Sequence, residues 1–244
     1  MNKFFIKIRY FFVFYKSKFL KKKIYQFGSH PAVDFKNIVK EYNFTVFWFM
    51  NNLEIFNYYL PRDLNKSFNY LEVGSYEGMS LLYVLEKYKN ANITAIDFWN
   101  DTNIELSFNQ NTSKYSSLIK IKSDSIIALR ELNKKKQKFD YIYIDGFHDG
   151  SHVIVDAVEA FKLLDINGIM ILDDFMQDDK NISYQSYEGI FYFLELFRKE
   201  IQILYFQNIL VLKKISMLLS FHKSIATIFA FLYFSNIYNK DIPS

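Results

Sequence analysis

Three aspartates and one histidine are the residues of this chain whose types and spacing could do chemistry. Asp145 ends the apolar run Phe139 to Ile144, and His148 follows three positions later. Asp173 and Asp174 end a second apolar run, Gly168 to Leu172. Neighbouring strands of a parallel sheet lie ~5 Å apart, so two such strand ends can bring all three carboxylates into one crevice. Carboxylates that close repel one another unless a cation or a proton compensates. An all-oxygen ligand set suits Mg²⁺, Mn²⁺ or Ca²⁺, which makes Asp145, Asp173 and Asp174 candidate metal ligands. The alternative is that Asp145 contacts a cofactor and Asp173 or Asp174 caps a helix. The unperturbed pKa of histidine lies near neutrality, so His148 is the candidate general base; His152, one helical turn further on, is the weaker one.

A second constellation lies upstream, in Tyr-Leu-Glu-Val-Gly-Ser-Tyr-Glu-Gly-Met-Ser at positions 70–80. An apolar strand ends at Gly74 and a helix begins near Met79, so the chain turns from strand to helix through Gly74 and Gly78. Such a turn lets a ligand approach the backbone, and the helix start offers free N–H groups to an anionic group. Asp97 follows Gly74 by 23 positions, at the end of the next apolar run. An acid at that offset can accept both ribose hydroxyls. The third glycine of the dinucleotide fingerprint is missing, which argues against NAD or FAD. Glu72 and Glu77 bracket the turn and would repel a pyrophosphate. They suit a cofactor with cationic parts and one carboxylate, as in S-adenosylmethionine. In Ser123-Asp124-Ser125, Asp124 could accept from an adenine amino group with Ser123 beside it, or serve as a helix N-cap.

These residues need a scaffold that brings strand ends together. Strand candidates are 68–73, 92–96, 118–122, 139–144, 168–172, 201–206 and 209–213, with helices over 78–88, 124–133, 150–164 and 186–198. Strand–helix alternation predicts a doubly wound α/β, Rossmann-like fold with a mainly parallel seven-stranded sheet. Only Gln207-Asn208 separate the last two strands, so those two must form an antiparallel hairpin. Residues 61–214 form the predicted domain. Residues 1–60 form a basic and aromatic helical extension, and 215–244 an apolar helical tail.

Composition narrows the function classes. There is no cysteine, which excludes disulfides, thiolate metal sites and cysteine nucleophiles. The net charge of +4 is unevenly spread: residues 1–23 hold eight bases and no acid, leaving 22 basic and 26 acidic side chains elsewhere. The acidic body and the lack of a recognition motif argue against nucleic acid as partner. The uncharged run Tyr10 to Tyr15 is too short to span a bilayer, and no cleavage site follows it. The expected location is the cytoplasm. A basic aromatic arm also suits peripheral contact with the inner face of a membrane, and the apolar tail suits packing, a homodimer or the same membrane. Trp48 and its neighbours are expected to be core or a lid over the ligand.

Together, positions 70–80, Ala95-Ile-Asp97, Ser123-Asp124-Ser125, Asp140 to His148 and Gly168 to Asp174 resemble class I S-adenosylmethionine-dependent methyltransferases. Within that class they are similar to the branch of small-molecule and sugar O-methyltransferases with an Ile-Asp-Gly-x-His signature. The resemblance covers about residues 61–214. It implies that Glu72, Gly74, Ser75 and Gly78, with help from Ser80, hold the methionine part of the cofactor. It also implies that Asp97 holds the ribose and that Ser123 and Asp124 lie near adenine. For metal-dependent members it implies Mg²⁺ on Asp145, Asp173 and Asp174, with Asp145 also at the cofactor and His148 as base. Some members carry a different acidic pair where this chain has Asp173-Asp174. The expected reaction is methyl transfer to a hydroxyl of a sugar, glycan or other small molecule. The alternative is a non-catalytic S-adenosylmethionine-binding or membrane-associated scaffold.

Overall fold

The computed structural model describes Ile6 and residues 8–27, 35–147, 149–176 and 185–216. Its frame is a seven-stranded sheet in the order β3-β2-β1-β4-β5-β7-β6. The strands are β1 (Asn69–Val73), β2 (Asn92–Asp97), β3 (Ile119–Lys122), β4 (Phe139–Ile144), β5 (Leu164–Leu172), β6 (Ile201–Phe206) and β7 (Leu210–Lys214). β1 pairs in parallel with β2 and β4, β3 with β2, and β5 with β4. β7 runs antiparallel between β5 and β6, because the short turn after β6 leaves no room for a crossover. The doubly wound α/β sheet and its closing hairpin are as the sequence predicts.

The helices are α1 (Phe11–Phe27), α2 (Phe35–Ile38), α3 (Leu53–Tyr59), α4 (Met79–Lys87), α5 (Thr102–Thr112), α6 (Ser125–Lys134), α7 (Gly150–Leu163) and α8 (Ser186–Leu196). Alternate side chains of each strand point to opposite faces, and each face has its own core. Leu71, Val73, Ile142 and Ile144 pack with Phe161 and Phe193 of α7 and α8. Tyr70 and Tyr143 pack on the other face with Phe56, Leu82 and Tyr83 of α3 and α4.

Caps fix where the helices start, and so fix the loops that line the crevice. Asp101 accepts from Asn103 N (2.8 Å), Asp124 from Ile127 N (3.1 Å) and Asp149 from Ser151 N (2.9 Å), each satisfying an otherwise unpaired donor of a first turn. Helix α5 was not expected. Its sequence, Thr-Asn-Ile-Glu-Leu-Ser-Phe-Asn-Gln-Asn-Thr, is poor in strong helix formers; Phe108 anchors it by burying its ring against Trp99 (centroids 4.4 Å apart).

The stretch 35–60 is helical in short pieces. It forms α2, two short 3₁₀ turns at Val39–Glu41 and Trp48–Asn51, and α3. The N-terminal extension is part of the domain surface. Along α1, Ser17 Oγ accepts from Phe206 N (2.9 Å) and Phe14 O accepts from Gln207 Nε2 (3.0 Å), so the helix covers the exposed edge of β6. The predicted apolar tail beyond residue 216 lies outside the described residues. Among the described residues no helix is long and apolar enough to cross a membrane.

Candidate active site

A cavity of about 930 Å³ opens at the C-terminal ends of β1 to β5, where open α/β sheets bind ligands. Its wall includes Gly74, Tyr76, Asp97, Ser123, Asp124, Asp145, Asp173 and Asp174, which joins most of the two predicted constellations in one space. Trp48, Asn51 and Asn52 close one side from the 3₁₀ turn before α3, and Asn208 and Ile209 line it from the β6–β7 turn.

Gly74 has φ +85°, and a Cβ there would lie 2.1 Å from the carbonyl oxygen of Asp145. The glycine lets β1 and β4 end side by side, so it sets the position of Asp145 as well as the turn. Gly78 (φ +86°) faces the Phe108 ring, where a Cβ would sit at 3.1 Å, and it is not in the cavity wall. Glu72 also lies outside the wall, fully buried beneath the turn. It alternates with Leu71 and Val73, so it points into the sheet face that holds Tyr70 and α4. There it accepts from Tyr70 Oη (2.8 Å) and Ser80 Oγ (2.9 Å). Burial pushes its carboxyl up to about 7 against the pull of those two donors. Ser75 Oγ, close to Glu72, is buried with no partner in hydrogen-bond geometry. Glu77 faces away from the cavity as well. Its two oxygens accept from Thr45 N and Thr45 Oγ1 (2.8 Å each), which ties the N-terminal segment to the start of α4.

At the β2–β3 end, Asp97 is gripped by main-chain donors. Oδ2 accepts from Tyr76 N and Oδ1 from Trp99 N, both at 2.8 Å. Tyr76 and Trp99 take φ of 48° and 40°, a region costly for bulky residues. The Asp97 bonds, with Trp99 Nε1 donating to Tyr76 O (2.8 Å), hold that shape. Each carboxylate oxygen keeps a second lone pair for a hydroxyl. Ser125, after Asp124, donates to Asp156 of α7 (2.8 Å to Oδ1). Burial pushes Asp156 up to about 6.

The β4–β5 end is built differently. Tyr143 Oη lies 3.0 Å from Asp145 Oδ2 and 2.5 Å from Asp173 Oδ2. One phenolic proton therefore stands between two carboxylates. Burial and the Asp145 and Asp173 charges hold the Tyr143 hydroxyl well above the ordinary tyrosine range, so it stays a donor. Burial, then the Asp173 charge, pushes Asp145 well above the ordinary carboxylate range, and the Tyr143 bond opposes this. Asn52 Nδ2 also donates to Asp173 Oδ2, and Asp174 N to Asp173 Oδ1 (2.8 Å). Sequence reasoning missed Tyr143 and Asn52. Tyr143 reads as an ordinary strand residue, and nothing local marks Asn52, since its partner lies 121 positions away.

His148 lies outside the described residues. Its neighbour Phe147 is in the cavity wall, 5.1 Å between ring centroids from His152, whose Nδ1 is bonded to Asp149 Oδ2.

Asp97, with a lone pair left on each oxygen, suits the ribose hydroxyls of S-adenosylmethionine. Among the described residues no group of three His, Cys, Asp or Glu side chains is disposed to hold an ion. Asp145, Asp173 and Asp174 form one acidic wall of the cavity, with Tyr143 between the first two.

The fold is shared with methyltransferases of solved structure. Residues 71–175 match the family model described as a methyltransferase domain, from β1 through the Asp173-Asp174 turn. Among solved structures, the chain is similar to MycE methyltransferase from the mycinamycin biosynthetic pathway, in complex with Mg and SAH. Identity is 16%, the TM-score 0.55, and the match covers 76% of this chain and 55% of MycE. The chain thus spans about half of MycE's length. It is also similar to a Staphylococcus aureus protein described as a candidate caffeoyl-CoA O-methyltransferase. There identity is 16%, the TM-score 0.55, and the match covers 81% of this chain and all of the other. No curated protein matches the sequence.

Proposed function

We propose that this protein transfers the methyl group of S-adenosylmethionine to a hydroxyl oxygen of a sugar or another small molecule. The observation that carries the reading is the single cavity with a hydroxyl-accepting end at Asp97 and an acid-rich end at Asp145 and Asp173. S-adenosylmethionine, when bound, supplies an electrophilic methyl on a cationic sulfur. Asp97 and the turn after Gly74 orient its ribose and methionine parts, with Ser123 and Asp124 beside the adenine. Trp48, Asn51 and Asn52 line one side of the cavity and would meet a polyhydroxylated acceptor there. An alcohol is a poor nucleophile near neutral pH, so its proton must be taken as the new bond forms. His148 is the proposed base. Asp145, held well above the ordinary carboxylate range by burial and by the Asp173 charge, is the group that balances the charge His148 gains. The Tyr143 hydroxyl between Asp145 and Asp173 donates to their charged forms without neutralising either. The MycE complexes hold Mg.

The test is transfer of labelled methyl from S-adenosylmethionine to a panel of sugars, sugar nucleotides and glycans, with and without a chelator. Labelled product from at least one hydroxylated acceptor supports the reading, and a loss of product on chelation would add a divalent cation to it. Tight binding of S-adenosylmethionine with no transfer to any acceptor would favour the non-catalytic binder.

A further inference from the structure

Helix α1 carries two apolar stripes, and the domain uses only one of them. Tyr10, Val13, Phe14, Ser17 and Ile24 turn inward, where Ser17 and Phe14 bond the end of β6 and the turn after it. At 100° per residue, Ile8, Phe11, Phe12, Tyr15 and Phe19 fall on the opposite side. All five are exposed, with Phe12 at 86% and Phe19 at 75%. Solvated Phe side chains in a row are unusual on a soluble surface and mark a contact face.

The charges around this stripe say what it meets. Lys16, Lys18, Lys22 and Lys23 flank or interrupt it and are exposed, and residues 1–27 hold no acid. Lys18 Nζ stands 5.2 Å from the ring centroids of both Phe14 and Tyr15. Arg9 is engaged with Glu195 of α8 (3.3 Å), which fixes the start of the helix to the body.

We infer that the outer face of α1 docks in the plane of an anionic lipid surface, with the Phe12–Phe19 stripe in the acyl boundary and the lysines at the headgroups. A bilayer interface offers negative charge above an apolar layer, and that is the depth order this face presents. Two other occupants fit less well. Residues 217–244 contain two lysines and one acid, so they offer no complement to the lysines. The acidic body of a second copy offers charge without the apolar layer. The placement also has a consequence for the site. Gln207, bonded to Phe14 O, precedes Asn208 and Ile209 in the cavity wall, so docking would bring that side of the cavity to the membrane.

The test is sedimentation of the full chain with vesicles of phosphatidylcholine alone or mixed with phosphatidylglycerol. The protein should partition onto the anionic vesicles only, and high salt should weaken it. Two double variants, Phe12→Ser with Phe19→Ser and Lys18→Glu with Lys22→Glu, should each lower partition by about tenfold or more, given the gain per buried aromatic and per lysine at such a surface. Their melting temperatures should stay near that of the parent. No binding to anionic vesicles, or binding unchanged in both variants, would overturn the inference. So would a several-degree fall in melting temperature for the serine variant with partition unchanged, which would mean that the chain itself covers the face. Conversion of a dimer to a monomer by either variant would assign the face to a second copy instead.

Discussion

The two ends of the cavity use carboxylates in different ways. At the β2–β3 end, Asp97 and Asp124 accept from backbone N–H groups, and those bonds give loops their shape. At the β4–β5 end, Asp145 and Asp173 share one tyrosine hydroxyl, and Asp173 takes Asn52 Nδ2 and a single backbone N–H besides. Main-chain donors are fixed by the fold and tie an acid to architecture. A shared hydroxyl proton leaves an acidic pair one proton short of comfort, so it responds to whatever cation or proton arrives. The first end is suited to holding a cofactor and the second to handling charge during the reaction.

Substitutions can break that contrast. Asp145→Asn removes the charge that the second end is built around and should lower methyl transfer by about a hundredfold or more. The near-ultraviolet circular dichroism should remain that of the parent. At the other end, Asp97→Ala frees the amides of Tyr76 and Trp99 and removes the ribose acceptor. The Kd for S-adenosylmethionine should rise about tenfold or more, since a bond to a charged group contributes about 1.5–3 kcal/mol. Calorimetric titration reads it.

Glu72 sharpens the comparison because it belongs to neither end. Its carboxyl is raised in the folded state to about 7. A raised carboxyl contributes stability that is full below its unfolded value and is lost as pH rises through its folded value. Unfolding free energy should therefore fall between about pH 4.5 and 7, by roughly 2–3 kcal/mol on this group's account. Glu72→Gln should flatten that slope in denaturant titrations at a series of pH values. The smallest effect is expected from Tyr143→Phe. The Tyr143 bond opposes the rise at Asp145, so its loss should move the acid limb of the methyl-transfer profile to higher pH. An unmoved limb would take Tyr143 out of the charge balance.

Much of this was legible in the sequence. Apolar runs ending in Gly74, Asp97, Asp145 and Asp173 are strand ends, and parallel strands put their ends together. The short Gln207-Asn208 link could only be a hairpin. Side-chain direction was harder to read. Glu72 has the right type and position for an ammonium ligand, yet the two-residue period turns it into the sheet face behind the turn. Glu77 reads as a neighbour of the cofactor but serves Thr45. Helix α5 escaped because its polar, β-branched sequence is held by Phe108 and the Asp101 cap rather than by propensity. Tyr143 and Asn52 gain their meaning only from partners on other strands and segments.

The most direct test of the division of labour is the Kd of S-adenosylmethionine for the Asp145→Asn variant, measured by calorimetry beside the parent. The account predicts a Kd within about threefold of the parent in a variant that has lost turnover, because the β2–β3 end is intact. A Kd that rises in step with the loss of turnover would contradict it, and would make the acidic end part of the cofactor's grip.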